Sequence, residues 1–277
     1  MAEPRGAQPM GGVAMNFEGR VAMIVGAGSG LGSTLARRFA EAGADVVLAA
    51  RSDASLDAAN AAAVAAGREP LLVPTDISDR RAAEQLAERA MQRFGRVDVL
   101  VNAAFPNSPR RALLDMDDGN LESWRRTVEI GGYGTLLACR YVAPHMVAAG
   151  RGAIVNVTSM SSRVGYAERS DYGAGKSQAH LIAHALADEL GPHGIRVNCV
   201  APGHIWSDRL EQFYRALADR RGVTYETVLA EHTHEMALRR IVTNDEVANA
   251  ILFLASDLAS GITGAVIDVN AGHQFAP

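Results

Sequence analysis

A tyrosine and a lysine stand four residues apart in the segment Tyr172-Gly-Ala-Gly-Lys176, at the start of a stretch with helical spacing. Four residues along an α-helix bring two side chains to one face, about 6 Å apart along the axis. A free phenol has a pKa of about 10 and is a poor base at neutral pH, but a neighbouring ammonium favours its ionised form. Tyr172 could therefore exchange a proton with a hydroxyl or carbonyl group.

A serine stands where it could join this pair. Ser159 ends the fifth predicted strand, 13 residues before Tyr172. Ligands of open α/β sheets bind at the carboxyl ends of the strands, so the Ser159 hydroxyl could orient a substrate oxygen. A tyrosine four residues before a lysine is common by chance, but its order after a glycine loop and this serine predicts a catalytic group of Ser159, Tyr172 and Lys176.

A glycine-rich turn, Gly26-Ala-Gly-Ser29-Gly30-Leu31-Gly32, lies between the first predicted strand and the first predicted helix. It departs from the G-x-G-x-x-G spacing but fits a related pyrophosphate loop. Its glycines permit a tight turn, let backbone N–H groups approach a phosphate and let the helix pack closely on the strand. The turn predicts a dinucleotide site, and the alternative is an ordinary strand–helix connection.

The end of the second predicted strand bears on the choice of cofactor. Enzymes that select NAD place a carboxylate there to bind the ribose 2′-hydroxyl. This chain has Ala50 and then Arg51, and a guanidinium can form paired hydrogen bonds to a 2′-phosphate. NADP(H) is therefore favoured and NAD(H) remains possible, since Arg51 could also be a solvated surface residue and Asp53 follows closely.

Short apolar runs alternate with helical patterns from residue 20 to the end of the chain. The predicted strands are Val21–Val25, Asp45–Ala50, Pro70–Pro74, Val97–Val101, Ala153–Val157, Arg196–Val200 and Ala265–Val269. The predicted helices are Leu31–Ala42, Ser55–Ala66, Arg80–Phe94, Leu121–Ala149, Tyr172–Leu190 and Asp245–Ala255. Apolar strands with no polar face predict a single doubly wound Rossmann-type α/β domain, in which a seven-stranded parallel sheet carries helices on both faces.

The boundaries of this domain follow from composition. Residues 1–16 are rich in glycine and proline without an apolar run, which predicts a disordered leader before a catalytic domain at 17–277. Residues 203–243 interrupt the alternation with helical pieces and no strand. Such an excursion is typical of a substrate lid, the alternative being a surface insertion.

Composition excludes several classes of partner. Of the 277 residues, 48% are hydrophobic, and the net charge is −4, so nucleic acid and anionic membranes are poor candidates. No uncharged apolar stretch is long enough to span a bilayer. Cys139 and Cys199 lie in apolar stretches and predict buried free thiols, as in the reducing cytoplasm.

Taken together, the motifs carry a resemblance to a known family. They are VGAGSGLG at 25–32, TDISD at 75–79, DVLVNAA at 98–104, VNVTS at 155–159, YGAGK at 172–176, VNCVAPG at 197–203 and ITGAVIDVNAG at 262–272. Over residues 17–275 the chain resembles the classical short-chain dehydrogenase/reductase family. The resemblance implies that Ser159, Tyr172 and Lys176 are catalytic, and that the protein is a homotetramer or homodimer built partly through the helix that carries Tyr172.

The same resemblance assigns further cofactor residues. Asp76 and Ile77 would hold the adenine, Asn102 would stabilise the central strand, and Lys176 would also reach the nicotinamide ribose. The residues that would line the nicotinamide side are Pro202, Gly203, Ile205 and Ser207.

Two departures from the family pattern concern the substrate side. Ala103 and Phe105 stand in what is normally an Asn-Asn-Ala-Gly turn, so Phe105 should reshape the wall near the substrate. Gly131 takes the place of the family's catalytic asparagine. Because glycine leaves room for an extra water, we expect a slower or rerouted proton relay rather than loss of activity.

Other candidate residues are weighed on their position. His204 and Trp206 directly follow the Pro-Gly turn and are candidates for substrate contact, together with Ser159 and Phe105. The pair His180 and His184 fits helix packing or a subunit contact better than a metal site, because no carboxylate completes a metal-binding motif. No metal is expected.

The predicted function is the transfer of a hydride between a nicotinamide cofactor and a small secondary alcohol or ketone, with Tyr172 as acid or base. Two alternatives stay open: an epimerase or dehydratase variant of the same site, and a dinucleotide-binding regulator or scaffold with little turnover.

Overall fold

A computed structural model describes residues 15–106 and 108–275 of the chain. Its core is one sheet of seven parallel strands in the order β3-β2-β1-β4-β5-β6-β7. The strands are β1 Val21–Val25, β2 Asp45–Ala50, β3 Leu71–Pro74, β4 Val99–Asn102, β5 Gly152–Val157, β6 Ile195–Pro202 and β7 Val266–Val269. Each begins and ends within two residues of its prediction, and the predicted doubly wound fold is confirmed.

Helices cover both faces of the sheet. They are α1 Leu31–Glu41, α2 Asp53–Ala65, α3 Arg80–Phe94, α4 Asp118–Glu129, α5 Thr135–Ala149, α6 Ser170–Leu190, α7 Asp208–Arg221, α8 Tyr225–His234 and α9 Asn244–Ala255. One buried cluster joins the sheet to α1, α2, α7, α8 and α9, and a second joins it to α3, α5 and α6. Neighbouring residues of β1 serve the two clusters in turn, because successive strand side chains point to opposite faces.

The predicted long helix over 121–149 is wrong in one respect, since α4 and α5 are separated by a π-helical segment at Ile130–Gly134. This segment has the sequence Ile-Gly-Gly-Tyr-Gly, and its three glycines weaken the regular α-helical ladder. The start of α4 also lies earlier than predicted. Asp117 caps it by accepting a hydrogen bond from the Asn120 N–H at 2.7 Å.

Residues 203–243 fold into α7 and α8 and return to the body through a bridge between Ile205 and Val242. Tyr214 and Val228 are fully buried in the first cluster, so the segment packs firmly on the domain. The following helix, α9, is capped by Thr243, with its hydroxyl accepting from the Glu246 N–H at 3.2 Å.

The predicted leader falls mostly on residues 1–14, which lie outside the described residues. Of its last two positions, Met15 packs against the first cluster and the Asn16 side chain accepts a hydrogen bond from the Glu18 N–H at 2.8 Å. Within the described ranges, none of the helices combines the length and apolar character that crossing a membrane requires. Cys139 and Cys199 are buried free thiols, as predicted, and burial raises the pKa of each to about 12.

Candidate active site

The carboxyl ends of β1, β4, β5 and β6 meet at one edge of the sheet, and this edge carries the predicted site. The pairing of Val25 with Asn102, and of Asn102 with Asn156, brings the glycine turn and the end of β4 to the same level. Ser159 follows two residues after β5, and Pro202 ends β6. This is the edge at which open α/β sheets bind their ligands.

Lys176 is held by the end of β5. Its Nζ donates a hydrogen bond to the Val157 carbonyl at 2.7 Å, and the side chain is buried. Burial penalises the charged ammonium and lowers the pKa of Lys176 to about 7. An amine with this pKa changes charge near neutral pH, where a proton relay operates most readily.

Ser159 is positioned by its own turn. Its Oγ accepts a hydrogen bond from the Ser161 N–H at 3.1 Å, and its carbonyl accepts one from the Ser162 hydroxyl at 2.7 Å. The side chain is buried, and among the described residues nothing accepts the hydroxyl proton. The hydroxyl can therefore donate to a substrate oxygen.

The glycine turn borders a cavity of about 310 Å³ between β1, β2 and β4. Seven of the predicted cofactor residues line it: Gly26, Ser29, Leu31, Gly32, Arg51, Asp76 and Ile77. Gly30 stands beside them as the N-cap of α1. No side chain caps α1, so the N–H groups of its first turn are available to a pyrophosphate.

Two of these glycines are required by the backbone. Gly26 has φ +98°, and a Cβ there would lie 2.6 Å from Ala104 Cα. A Cβ on Gly32 would lie 2.6 Å from the Gly26 carbonyl oxygen. The turn is therefore as tight as the dinucleotide prediction requires.

Asp76 and Asn102, the two polar residues predicted to serve the cofactor site, have different hydrogen-bond partners. Burial alone would raise the pKa of Asp76, but hydrogen bonds from Ser78 and from Arg126, at 2.6 Å, outweigh it and lower that pKa. Asn102 Nδ2 donates to Asn156 Oδ1 at 2.9 Å and so ties β4 to β5. Its Oδ1 is buried without a partner among the described residues, which leaves an acceptor beside the cavity. The uncapped α1, the glycine cradle and this acceptor fit a dinucleotide.

Known proteins resemble this chain in sequence and in fold. A family model described as enoyl-(acyl carrier protein) reductase matches residues 26–274. Cis-4-hydroxycyclohexanecarboxylate dehydrogenase of Sinomonas cyclohexanicum is 37% identical over 93% of this chain and 97% of its own length. Levodione reductase has a TM-score of 0.84 at 29% identity, covering 93% of this chain and 98% of its own. Carveol dehydrogenase of Mycobacterium avium, solved with NAD, has a TM-score of 0.83 at 27% identity, covering 92% and 98%.

The chain belongs to the classical short-chain dehydrogenase/reductase family. It is accordingly an oxidoreductase, in a family whose solved members include a complex with a nicotinamide dinucleotide.

Phe105, one of the two departures from the family pattern, lies closer to the chemistry than the sequence indicates. Its ring centre is 4.9 Å from that of Tyr172, edge to face, and 4.4 Å from Lys176 Nζ. A Cβ on Gly175 would lie 3.1 Å from the Phe105 ring, so the ring fits because residue 175 is glycine. Phe105 packs on the tyrosine–lysine pair itself, a contact that the sequence analysis missed.

Gly131, the other departure, does not leave the space expected of it. A Cβ at this position would lie 2.8 Å from Gly175 Cα and 2.9 Å from its carbonyl oxygen. The expectation of room for an extra water is therefore wrong, because the backbone of α6 occupies that volume. The Gly131 carbonyl accepts a hydrogen bond from the Thr135 hydroxyl at 2.8 Å, within the π-helical segment.

Three residues after β6 that were predicted to line the nicotinamide have contacts with the framework of the domain. Gly203 packs on Asn270, and a Cβ added to Gly203 would lie 2.8 Å from the Asn270 Cβ. Ile205 forms the bridge to Val242. Ser207, predicted to line the nicotinamide, uses its hydroxyl to cap α7, accepting from the Leu210 N–H at 3.2 Å.

His204 belongs to a cluster of rings, whereas Trp206 is 36% exposed. His204 Nδ1 lies 3.0 Å from the Tyr214 hydroxyl, and the His232 and His273 rings are 6.0 and 5.3 Å away, centre to centre. Burial, reinforced by these two imidazoles and a nearby arginine, lowers the pKa of His204 to about 4. The imidazole is therefore uncharged at neutral pH.

His180 and His184 contact each other on α6, with ring centres 4.6 Å apart. In the part of the chain that the structure describes, no three histidine, cysteine or acidic side chains converge as metal ligands would.

Proposed function

We propose that this protein transfers a hydride between a nicotinamide cofactor and a secondary alcohol or ketone, with Tyr172 as acid and base. The observation that carries the proposal is that Phe105, which lines the glycine-bordered cavity, also contacts Tyr172 and buried Lys176. The nicotinamide, when bound, donates or accepts the hydride at the reacting carbon.

The chain's own groups handle the proton and the orientation. In the reducing direction the Ser159 hydroxyl donates a hydrogen bond to the substrate carbonyl oxygen and fixes its position. As the carbonyl carbon gains the hydride, its oxygen takes the proton of the Tyr172 hydroxyl, and a secondary alcohol results. In the oxidising direction the same proton returns to Tyr172. The positive charge of Lys176 favours the phenolate that forms on the tyrosine.

We propose NADP(H) as the preferred cofactor, with NAD(H) as the alternative. Arg51 is exposed at the edge of the cavity, and no carboxylate within the described ranges pairs with it. Ala50 leaves the usual position of the NAD-selecting carboxylate without charge. The solved relative with bound NAD keeps NAD(H) open.

The substrate class is proposed from the relatives and the pocket. The relative with 37% identity is named for a hydroxyl group on a cyclohexane ring. We therefore propose a secondary alcohol on an alicyclic ring, contacted by Phe105, His204 and Trp206. Residues 203–243, with α7 and α8, would form the lid over it.

We also propose a homotetramer or homodimer in the cytoplasm. Tyr133, Leu136 and Leu181 are large apolar residues near or on α5 and α6, and they are 46%, 42% and 67% exposed. An assembly through these helices would bury them. The two free thiols are compatible with a reducing compartment.

The test is turnover by the full chain with a panel of cyclic ketones and alcohols, followed by NADPH and NADH absorbance. The proposal expects turnover that falls by about 100-fold or more in Ser159→Ala. Cofactor binding without turnover on any ketone would favour the regulator or scaffold instead, and a stereochemical inversion without net NADPH consumption would favour an epimerase.

A further inference from the structure

Three arginines from three segments approach the mouth of the site. Arg110 lies in the loop after β4, Arg169 immediately precedes α6, and Arg209 is in the first turn of α7. Arg110 and Arg209 are close enough for their charges to act on the Arg169 guanidinium, and Arg110 also acts on His204. We call Arg110, Arg169 and Arg209 the arginine group.

Arg169 ties this group to the catalytic tyrosine. Its Cζ lies 4.3 Å from the centre of the Tyr172 ring. Its Nη1 donates to the Ser108 carbonyl at 2.6 Å, which fixes the guanidinium in place. A guanidinium has five N–H donors, and within the described ranges the Ser108 carbonyl is the only acceptor that Arg169 reaches. The remaining donors are available to a ligand with several acceptor oxygens.

The arginine group forms no ion pair within the described part of the chain, although the Asp171 carboxylate acts on Arg169 from a longer distance. No carboxylate there forms an ion pair with any of its members, whereas Arg163 and Arg126 do pair, with Asp268 and Asp76. This positive group stands out in a chain whose net charge is −4.

The acidic residue that follows Arg169 most closely is engaged elsewhere. Asp171 is buried, and its carboxylate accepts hydrogen bonds from the Ser108 hydroxyl and from the Tyr172 N–H. The neighbouring His204 adds no positive charge, because burial keeps its imidazole neutral at neutral pH. The positive charge at the mouth therefore belongs to the arginines.

We propose that the arginine group binds a carboxylate carried by the substrate, so that the protein acts on a hydroxy acid or its oxo acid. The inference rests on the proposed function and narrows its substrate class. Guanidinium and carboxylate match in a fork of two parallel hydrogen bonds, which are stronger than neutral ones. Because Arg169 lies against the Tyr172 ring, a carboxylate bound there would be close enough to Tyr172 to belong to the same small molecule as the reacting carbon.

Kinetics with matched ketones test the proposal. The probes are 4-oxocyclohexanecarboxylate and its methyl ester, which differ in charge but share the ring and the ketone. The acid should have a kcat/KM at least about tenfold higher than the ester, and added salt should reduce this ratio. In Arg169→Gln the ratio should fall to about 1, while Arg89→Gln, which changes an exposed arginine on α3, should keep it.

A binding measurement separates failure of the inference from failure of the proposed function. Calorimetry compares cyclohexanecarboxylate with cyclohexanecarboxamide on the full chain saturated with NADP⁺. If acid and ester are reduced equally well and acid and amide bind equally, the inference is overturned and the proposed function stands. If no ketone of the panel is reduced but the acid binds about tenfold more tightly than the amide, and only with Arg169 present, the carboxylate site stands and the proposed function fails.

Discussion

The two halves of the site depend on the sequence in different ways. The cofactor half, from the glycine turn to Asn102, is determined by backbone geometry. Gly26 and Gly32 are in contact with backbone atoms, and the register of β1 with β4 sets their position. The substrate half, with Phe105, the π-helical segment and α6, is determined by how side chains and glycines from distant segments fill one another's space.

The difference explains where the family pattern is kept and where it is altered. A backbone turn that receives a phosphate leaves few acceptable residues, so its motif can be read from one segment. In the substrate half Phe105, Gly131 and Gly175 form one contact set: the aromatic ring contacts Gly175, and the Gly175 backbone fills the space beside Gly131. A side chain added at Gly131 or Gly175 therefore needs a compensating change at the residue it would meet.

Among the variants that compare the two halves, Gly26→Ala in the cofactor half should have the largest effect. The added Cβ would overlap Ala103 and Ala104, and its φ of +98° strains any residue with a side chain. We expect cofactor affinity to fall by about 100-fold or more, measured by fluorescence titration of NADPH. Gly191→Ala is the control, because a Cβ there meets nothing within 4 Å. Unchanged cofactor affinity in Gly26→Ala would contradict the claim that backbone geometry determines the cofactor half.

In the substrate half, Gly131→Asn should have the next largest effect. The family pattern taken alone predicts a gain, since it restores the usual asparagine. The contact of its Cβ with the Gly175 backbone instead predicts a kcat at least about tenfold lower and a lower Tm, because strain at a buried site costs on the order of 1–3 kcal/mol. Measured kcat and thermal unfolding decide between them, and a gain in kcat with an unchanged Tm would contradict the packing account.

Phe105→Ala should change the pH dependence of the reaction. Removing the ring admits water to Lys176, and the gain in solvation should outweigh the lost cation–π contact and raise the pKa of Lys176 from about 7 towards its usual value. The reaction needs the charged amine beside Tyr172, so rate is lost as pH rises through that pKa, and the alkaline limb should move to higher pH. Profiles of kcat for Phe105→Ala and Phe105→Tyr give the comparison. The tyrosine variant keeps the ring and should keep the alkaline limb. Identical profiles for the native protein and both variants would contradict the claim that Phe105 keeps water from Lys176.

Arg51→Ala should have the smallest effect and should be confined to the cofactor half. Loss of the guanidinium should weaken NADPH binding by about tenfold, the contribution of one charge-assisted contact, and leave NADH binding nearly unchanged. Competition titrations with both cofactors measure it. A tighter native affinity for NADH than for NADPH would overturn the assignment of Arg51 at once.

Much of the fold could be predicted from local signals. The bounds of α3, Arg80–Phe94, are as predicted because Asp79 caps its start and Gly95 ends it in a left-handed conformation. The strands could be predicted because they are apolar throughout, as expected of a sheet that helices cover on both sides. The π-helical segment could not be predicted in this way, since the same run of residues also fits a continuous helix. The three glycines among its five residues are a signal that the helix is interrupted there.

The site could be predicted wherever the residues of one segment are sufficient to indicate their role. The glycine turn and the spacing of Tyr172 and Lys176 are of this kind. The fit of Phe105 against Gly175 joins residues 70 positions apart, and no spacing rule connects them. For the same reason the sequence alone indicates empty space beside Gly131, whereas the backbone of α6 fills it.

The most direct test of the central claim is single-turnover hydride transfer in Tyr172→Phe, observed as NADPH absorbance by stopped flow with a ketone found in the panel. Phenylalanine keeps the ring contacts with Phe105 and Arg169 but removes the hydroxyl that carries the proton. We predict a rate about 100-fold to 10,000-fold lower, with an NADPH affinity within about threefold of the native value. Hydride transfer at the native rate would contradict the account, since another group would then supply the proton.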